Sequence, residues 1–131
     1  MKLLLDTHHV FWFAVEPEQF TAAERVLLDN AATEPVVSAV SIWELQLKWH
    51  RLHRSGDRKG PVDPQDLFDR LIEAKIDLIP LAAAHAAARL HHDIAHTDPF
   101  DRMLLLQAQE TGVKLLTRDR ALQGHPLVVQ L

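Results

Sequence analysis

Lys2-Leu3-Leu4-Leu5-Asp6 opens the chain as an apolar run closed by an acid. Three leucines are far too few for a membrane anchor or secretion signal, and they suit a short buried strand. A second such run, Val113 to Leu116, leads into Thr117-Arg118-Asp119 near the other end. Val36-Val37 and Ile76 to Leu81 read as two further strands, and Leu127 to Val129 as a fifth at the edge. Helical patterns lie between them. Val10 to Val15 suits a short helix, and Thr21 followed by Glu24 is a capping box that opens a helix to about Asn30. Pro35 breaks the chain before Val36. Ser41 to about His53 repeats apolar residues at a helical period, Gln65 to Ala74 does the same, and Ala82 to His92 is an alanine-rich helix. Pro99 suits a first helical turn, with Phe100 to Glu110 beyond it and Gly112 as the stop. Ser55 to Pro64, with two Gly and two Pro, reads as a loop. Strands alternating with helices predict an α/β fold around a mostly parallel sheet of four or five strands.

The 131 residues suit a single domain over 1–131 with a real core. No cysteine is present, so disulfides and thiolate metal sites are excluded, and any metal must rest on Asp, Glu, His or backbone oxygen. No apolar stretch approaches a membrane span, and a soluble cytoplasmic protein is expected. Net charge is −4, but it is unevenly spread. Lys48, Arg51, Arg54, Arg58 and Lys59 face Asp57 alone, a local +4 that leaves −8 on the rest of the chain. An acidic body thus carries one basic segment.

In parallel sheets, ligands bind outside the carboxyl ends of the strands. Asp6 closes the first strand and Asp119 follows the fourth, so both belong at that edge. Glu44 lies early in the helix after the second strand, and Asp98 and Asp101 flank Pro99-Phe100 at the start of another helix. Five acids from four places would converge. Left alone they would raise one another's pKa values, and a hard divalent cation such as Mg²⁺ or Mn²⁺ resolves this. Carboxylates holding such an ion are standard equipment for phosphoryl transfer.

Each acid also has a plainer reading. Ser41-x-x-Glu44 is itself a capping-box pattern, Asp98 before Pro99 is a natural N-cap, Asp101 suits a helix N-terminus, and Asp119 can start a turn. Asp6 is the hardest to explain away, because an acid directly after an apolar strand is partly desolvated. The nine histidines lack a zinc-protease spacing and carry little signal. Phe11-Trp12-Phe13 are more aromatics than one helix face buries, which points to a homodimer interface or a partner groove.

Four blocks together resemble a PIN-domain toxin of the VapC-like group. They are Asp6-Thr7-His8 with Trp12, Ser38 to Leu45 with Lys48, His96 to Leu104, and Leu115 to Asp119. The resemblance spans residue 2 to about residue 122. It implies a three-layer α/β/α sandwich, Mg²⁺ or Mn²⁺ dependence, endoribonuclease activity and a cognate antitoxin. The family's acids map onto Asp6, Glu44, Asp101 and Asp119, with Asp98 the extra acid of a D-P-F-D subgroup. Counting back from the helix end near Glu110 favours Asp101 over Asp98 as the ligand. Thr117 matches the hydroxyl that accompanies the last acid, and Ser41 is a second supporting hydroxyl. Two departures are Thr97, where an Arg often stands, and a longer loop at Ser55 to Val62.

Asp6 and Asp101 would then be principal ligands, with Glu44 and Asp119 acting directly or through water. RNA must meet positive charge, for which Lys48, Arg51, Arg54, Arg102 and Arg118 are the candidates. The basic segment reads equally well as a solvated helix end and loop. Two rivals stay open. Asp6 could be the nucleophile of a phosphatase or phosphotransferase, although His8 stands where such enzymes usually keep a second acid. A non-catalytic PIN-fold interaction module would keep the fold without needing the acids.

Overall fold

Four short strands lie side by side and all run parallel: β1 (Lys2–Leu5), β2 (Glu34–Ser38), β3 (Asp77–Ile79) and β4 (Lys114–Leu116). Their order is β3-β2-β1-β4, so β1 is central and the chain changes direction of build between β1 and β4. This computed structural model describes residues 1–54, 62–95 and 98–131, with side chains apart from those of 52–54. Helices α1 (Thr7–Ala14), α2 (Ala22–Asp29), α3 (Ala39–Arg54), α4 (Pro64–Glu73), α5 (Ala83–Ala87) and α6 (Pro99–Thr111) surround the sheet.

The leucines explain the layering. Successive strand residues face opposite sides. Leu4, Val36 and Leu115 pack with Leu104, Leu105 and Ala108 of α6. Leu3, Leu5, Val37 and Leu116 face the other way, against Val10 of α1, Leu45 of α3, and Leu67 and Leu71 of α4. Burial on both faces is what a parallel sheet requires, and it accounts for uninterrupted rather than alternating apolar runs. Each fully buried leucine contributes about 2 kcal/mol. No described helix is long and apolar enough to cross a membrane.

Several boundaries differ from the sequence reading. Helix α1 begins at Thr7 rather than Val10, because Asp6 caps it by accepting a bond from the His9 N–H. Pro35 lies inside β2. Glu34 N–H donates to Met1 across β1, so by alternation the Pro35 nitrogen faces the β3 side, where pairing starts only at Val36↔Asp77. The alanine-rich helix ends at Ala87 instead of His92. Beyond it the Gln109 side chain of α6 accepts from His91 N–H and donates to the Arg89 carbonyl, which takes that backbone out of helical pairing. Leu127 to Val129 makes a single bridge at Leu115↔Val128 and no fifth strand, so the sheet has four strands. The expected loop at Ser55 to Pro64 falls largely outside the described residues.

Candidate active site

The carboxyl ends of β1 and β4 adjoin at the point where the strand order reverses, and the Asp6 N–H donates to the Leu116 carbonyl there (3.1 Å). A cavity of about 470 Å³ opens at this edge, and Asp6, Glu44, Asp98, Asp101 and Asp119 all line it. Thr7, His8, His9, Trp12, Lys48 and Arg118 complete its wall. The five acids singled out in the sequence are thus brought together.

Asp6 is the most constrained of them. Its Oδ1 accepts from the His9 N–H (2.9 Å) and faces His9 Nδ1 (2.7 Å). Its Oδ2 accepts from the Thr117 hydroxyl (2.6 Å). Burial alone would push the Asp6 carboxyl up. The hydrogen bonds and charge of His9, with the Thr117 hydroxyl, outweigh burial and hold it below the usual aspartate range. The expectation that crowded acids raise one another therefore fails at Asp6, because protein cations and donors reach it first.

Glu44 is set one turn deeper than the capping reading assumed. Helix α3 starts at Ala39, and Ser38 Oγ accepts from Val40 N–H as its cap (3.0 Å). Ser41 and Glu44 are thus interior helix residues, so the Ser41-x-x-Glu44 capping box does not form. Glu44 Oε1 instead accepts from the Thr7 hydroxyl (2.7 Å), which lies 3.2 Å from the buried Ser41 Oγ. Glu44 Oε2 pairs with Lys48 Nζ (2.9 Å) one turn further along. Thr7, given no separate role in the sequence reading, joins Asp6 to Glu44 by being the next residue after one and the donor to the other.

The plainer readings hold for Asp98 and Asp119 as caps, and for Asp101 as an acid in the first turn of α6. Asp98 Oδ1 caps α6 by accepting from Phe100 N–H (2.8 Å) and Asp101 N–H (3.3 Å). Asp119 Oδ1 accepts from Ala121 N–H (2.9 Å) at the start of a single 3₁₀ turn. Both still line the cavity.

The cations divide. Lys48 and Arg118 reach the cavity, and Arg51 lies beside it in a shallow groove with Glu44, Asp98 and Phe100. Arg102 does not line the cavity. It is tied to Asp93 (3.0 Å) and to the Ile94 carbonyl (3.3 Å). The Arg54 side chain, and His96 and Thr97, lie outside the described residues. Arg118 is already engaged: it lies over the Trp12 ring (4.2 Å to the centroid) and grips Glu24 through Nε (2.7 Å) and Nη2 (2.5 Å). Trp12 also meets Phe20 and His9, and Phe13 packs on the core, so two of the three consecutive aromatics are used within the chain.

The sequence reading passed over His9 and took Glu24 only as a capping residue. His9 is fully buried, with Nδ1 on Asp6 and Nε2 on Glu24 (2.8 Å). Burial disfavours its charge, but the two carboxylates prevail and raise its pKa. Glu24, itself buried, is held at about 2 against the cost of burial by Arg118, His9 and the Thr21 N–H. One signal was available: an N-capping acid brings the side chain three residues on back toward itself, as in a capping box.

The donor set suits a hard cation, being carboxylate oxygen without sulfur. Asp6 Oδ2 accepts from Thr117 alone among the described residues, which leaves it a second lone pair. Among the described residues no three of these side chains are drawn close enough to grip one ion, and Lys48 holds one Glu44 oxygen. In chemistry and location the residues fit Mg²⁺ or Mn²⁺.

The PIN-domain family matches residues 3–125. The chain belongs to the PIN-domain family. Ribonuclease VapC22 of Mycobacterium tuberculosis is 30% identical over 125 residues, covering 94% of this chain and 91% of that protein. Two solved structures share the PIN fold along 98% of this chain and 96% of their own. One is a toxin–antitoxin complex from Klebsiella pneumoniae (TM-score 0.63, 18% identity). The other is VapBC2 from Rickettsia felis bound to a DNA fragment from their promoter (TM-score 0.60, 14% identity). The PIN assignment and the four-stranded all-parallel sheet flanked by helices agree with the resemblance read from the four sequence blocks.

Proposed function

We propose that this PIN domain is a metal-dependent endoribonuclease, the toxin of a bacterial toxin–antitoxin pair, and that residues 1–131 act as one catalytic unit in the cytoplasm. The observation that carries the reading is the cavity at the carboxyl edge, walled by five acids from four separate segments. Its family, and a ribonuclease relative matched over nearly the whole chain, point the same way.

Asp6 and Asp101 would be the principal holders of Mg²⁺ or Mn²⁺, with Glu44 and Asp119 acting directly or through water. When bound, such an ion lowers the pKa of water and neutralises phosphate charge. The chain's own residues do the rest. Thr117 and His9 fix the Asp6 carboxylate, and Thr7 fixes Glu44. Asp98 anchors the first turn of α6 and so sets where Asp101 stands. Lys48 brings an ammonium into the cavity wall, where a phosphodiester can exchange with Glu44 as its partner. Arg51 extends positive charge along the neighbouring groove. A single strand or loop bends into such a crevice more readily than a stiff duplex.

The partners that follow are RNA, a cognate antitoxin and a second copy of the chain, the antitoxin reading resting on the complexes in which both structural neighbours were solved. An Asp6 nucleophile is less favoured, since His8 stands where such enzymes usually keep a second acid.

Antitoxin-free protein with Mn²⁺ and a pool of structured RNAs provides the test. Internal cuts in single-stranded regions, abolished by chelator, are expected. Release of inorganic phosphate from terminal phosphates without internal cuts would replace the nuclease with a phosphatase. Metal binding without either activity would leave an interaction module.

A further inference from the structure

Asp6, His9, Glu24 and Arg118 form one unbroken chain of contacts along the cavity wall and behind it. Asp6 Oδ1 meets His9 Nδ1 (2.7 Å), His9 Nε2 meets Glu24 Oε1 (2.8 Å), and Arg118 closes on both Glu24 oxygens. Acidic and basic side chains alternate along it, and His9 and Glu24 are sealed from solvent, with 0% and 2% of their surfaces exposed. Two carboxylates flank the ring, one within hydrogen-bond distance of each nitrogen, so a rotated ring would lose both contacts. Glu24 is pinned in turn by the Thr21 N–H of the α2 cap (2.8 Å) and by Arg118, which also donates to the Gln19 carbonyl (2.7 Å).

We propose that His9 and Glu24 are positioning residues for Asp6: Glu24 anchors the imidazole, and the imidazole sets the rotation of the Asp6 carboxylate that faces the cavity. The proposal rests on the metal-nuclease reading for the purpose of that rotation, and on this chain's own contacts for the mechanism. Outer partners of a ligating carboxylate typically alter metal affinity or activity by about 10–100-fold when removed. Without the ring, Asp6 Oδ1 keeps only the backbone N–H of residue 9. The carboxylate could then turn on its Thr117 bond and present its lone pairs off target.

Two substitutions separate positioning from mere packing. His9→Asn puts an amide N–H close to where Nδ1 stands, so the bond to Asp6 survives while Glu24 is lost. His9→Gln reaches toward Glu24 and abandons Asp6. Mn²⁺ affinity, read by electron paramagnetic resonance without RNA, should stay within about threefold of wild type in His9→Asn. It should fall about tenfold or more in His9→Gln. RNA cleavage should follow the same split in kcat, with KM for RNA little changed. Equal losses in both variants, or none in either, would overturn the proposal.

Should the Gln variant fail to fold, wild-type protein labelled with ¹⁵N-histidine gives the answer. Mg²⁺ should shift the Nδ1 resonance that is missing from the His9→Asn spectrum, and an unmoved resonance would refute the coupling. Asp6→Asn that binds Mn²⁺ as well as wild type does would also end the proposal, since no ligand would remain to be positioned. A protein that binds Mn²⁺ with the expected Asn/Gln split yet cuts no RNA would sink the nuclease reading and support the positioning.

Discussion

Glu24 and His9 carry opposite pH signatures. Glu24 sits at about 2 against an ordinary 4.5, so the stability it lends is present above pH 4.5 and is lost as the pH falls toward 2. His9 is raised above 6.5, so its contribution is full below pH 6.5 and is lost as the pH rises through its folded value. Their joint contribution is therefore greatest between those two ordinary values. Melting temperatures of chelator-treated protein should pass through a maximum there, and Glu24→Gln should flatten both flanks. A melting temperature that climbs steadily through neutral pH would show that the network does not govern stability. A sequence-only reading gives the opposite emphasis, repulsion among acids. The reason is physical: the sequence displays the carboxylates, but only the fold reveals that His9 and Arg118 reach two of them.

Helix starts decide where the acids point, and two of them divide by role. Asp98 is both an N-cap and a cavity residue. Asn caps nearly as well as Asp, whereas Ala does not. Asp98→Ala should cost about 1 kcal/mol in urea unfolding, and Asp98→Asn only a few tenths. If cleavage falls in the Asn variant while stability holds, the charge of Asp98 serves the chemistry; unchanged cleavage confines it to capping. At α3 the sequence pattern pointed to Ser41 as the cap, whereas the fold uses Ser38, which sets Glu44 inward by about one turn. Local patterns could not make that choice, because it is set by where β2 ends against β1 and β3. Strand runs, the α2 capping box and the Pro99 and Gly112 boundaries of α6 were legible, since each rests on neighbours in sequence. The short α5 and the strand position of Pro35 were not, since each depends on a distant partner: Gln109 for the first, the start of β3 for the second.

Across the molecule, an acidic body must admit a polyanion. Lys48 pairs with Glu44 in the cavity wall, while Arg51 is exposed beside the same edge. Arg51→Ala should weaken RNA binding modestly and reduce the slope of log affinity against log salt by about one, measured by fluorescence anisotropy over a salt series. An unchanged slope would remove Arg51 from the RNA path. Whether the carboxylate cavity does the cutting separates a nuclease from its rivals. The most direct measurement compares single-turnover cleavage of one RNA by wild type and Asp101→Asn at equal Mn²⁺, with matched melting curves. A rate lower by orders of magnitude in an intact fold is the predicted result, because losing a ligand misplaces both ion and water. An Asp101→Asn protein that cuts as fast as wild type would contradict it.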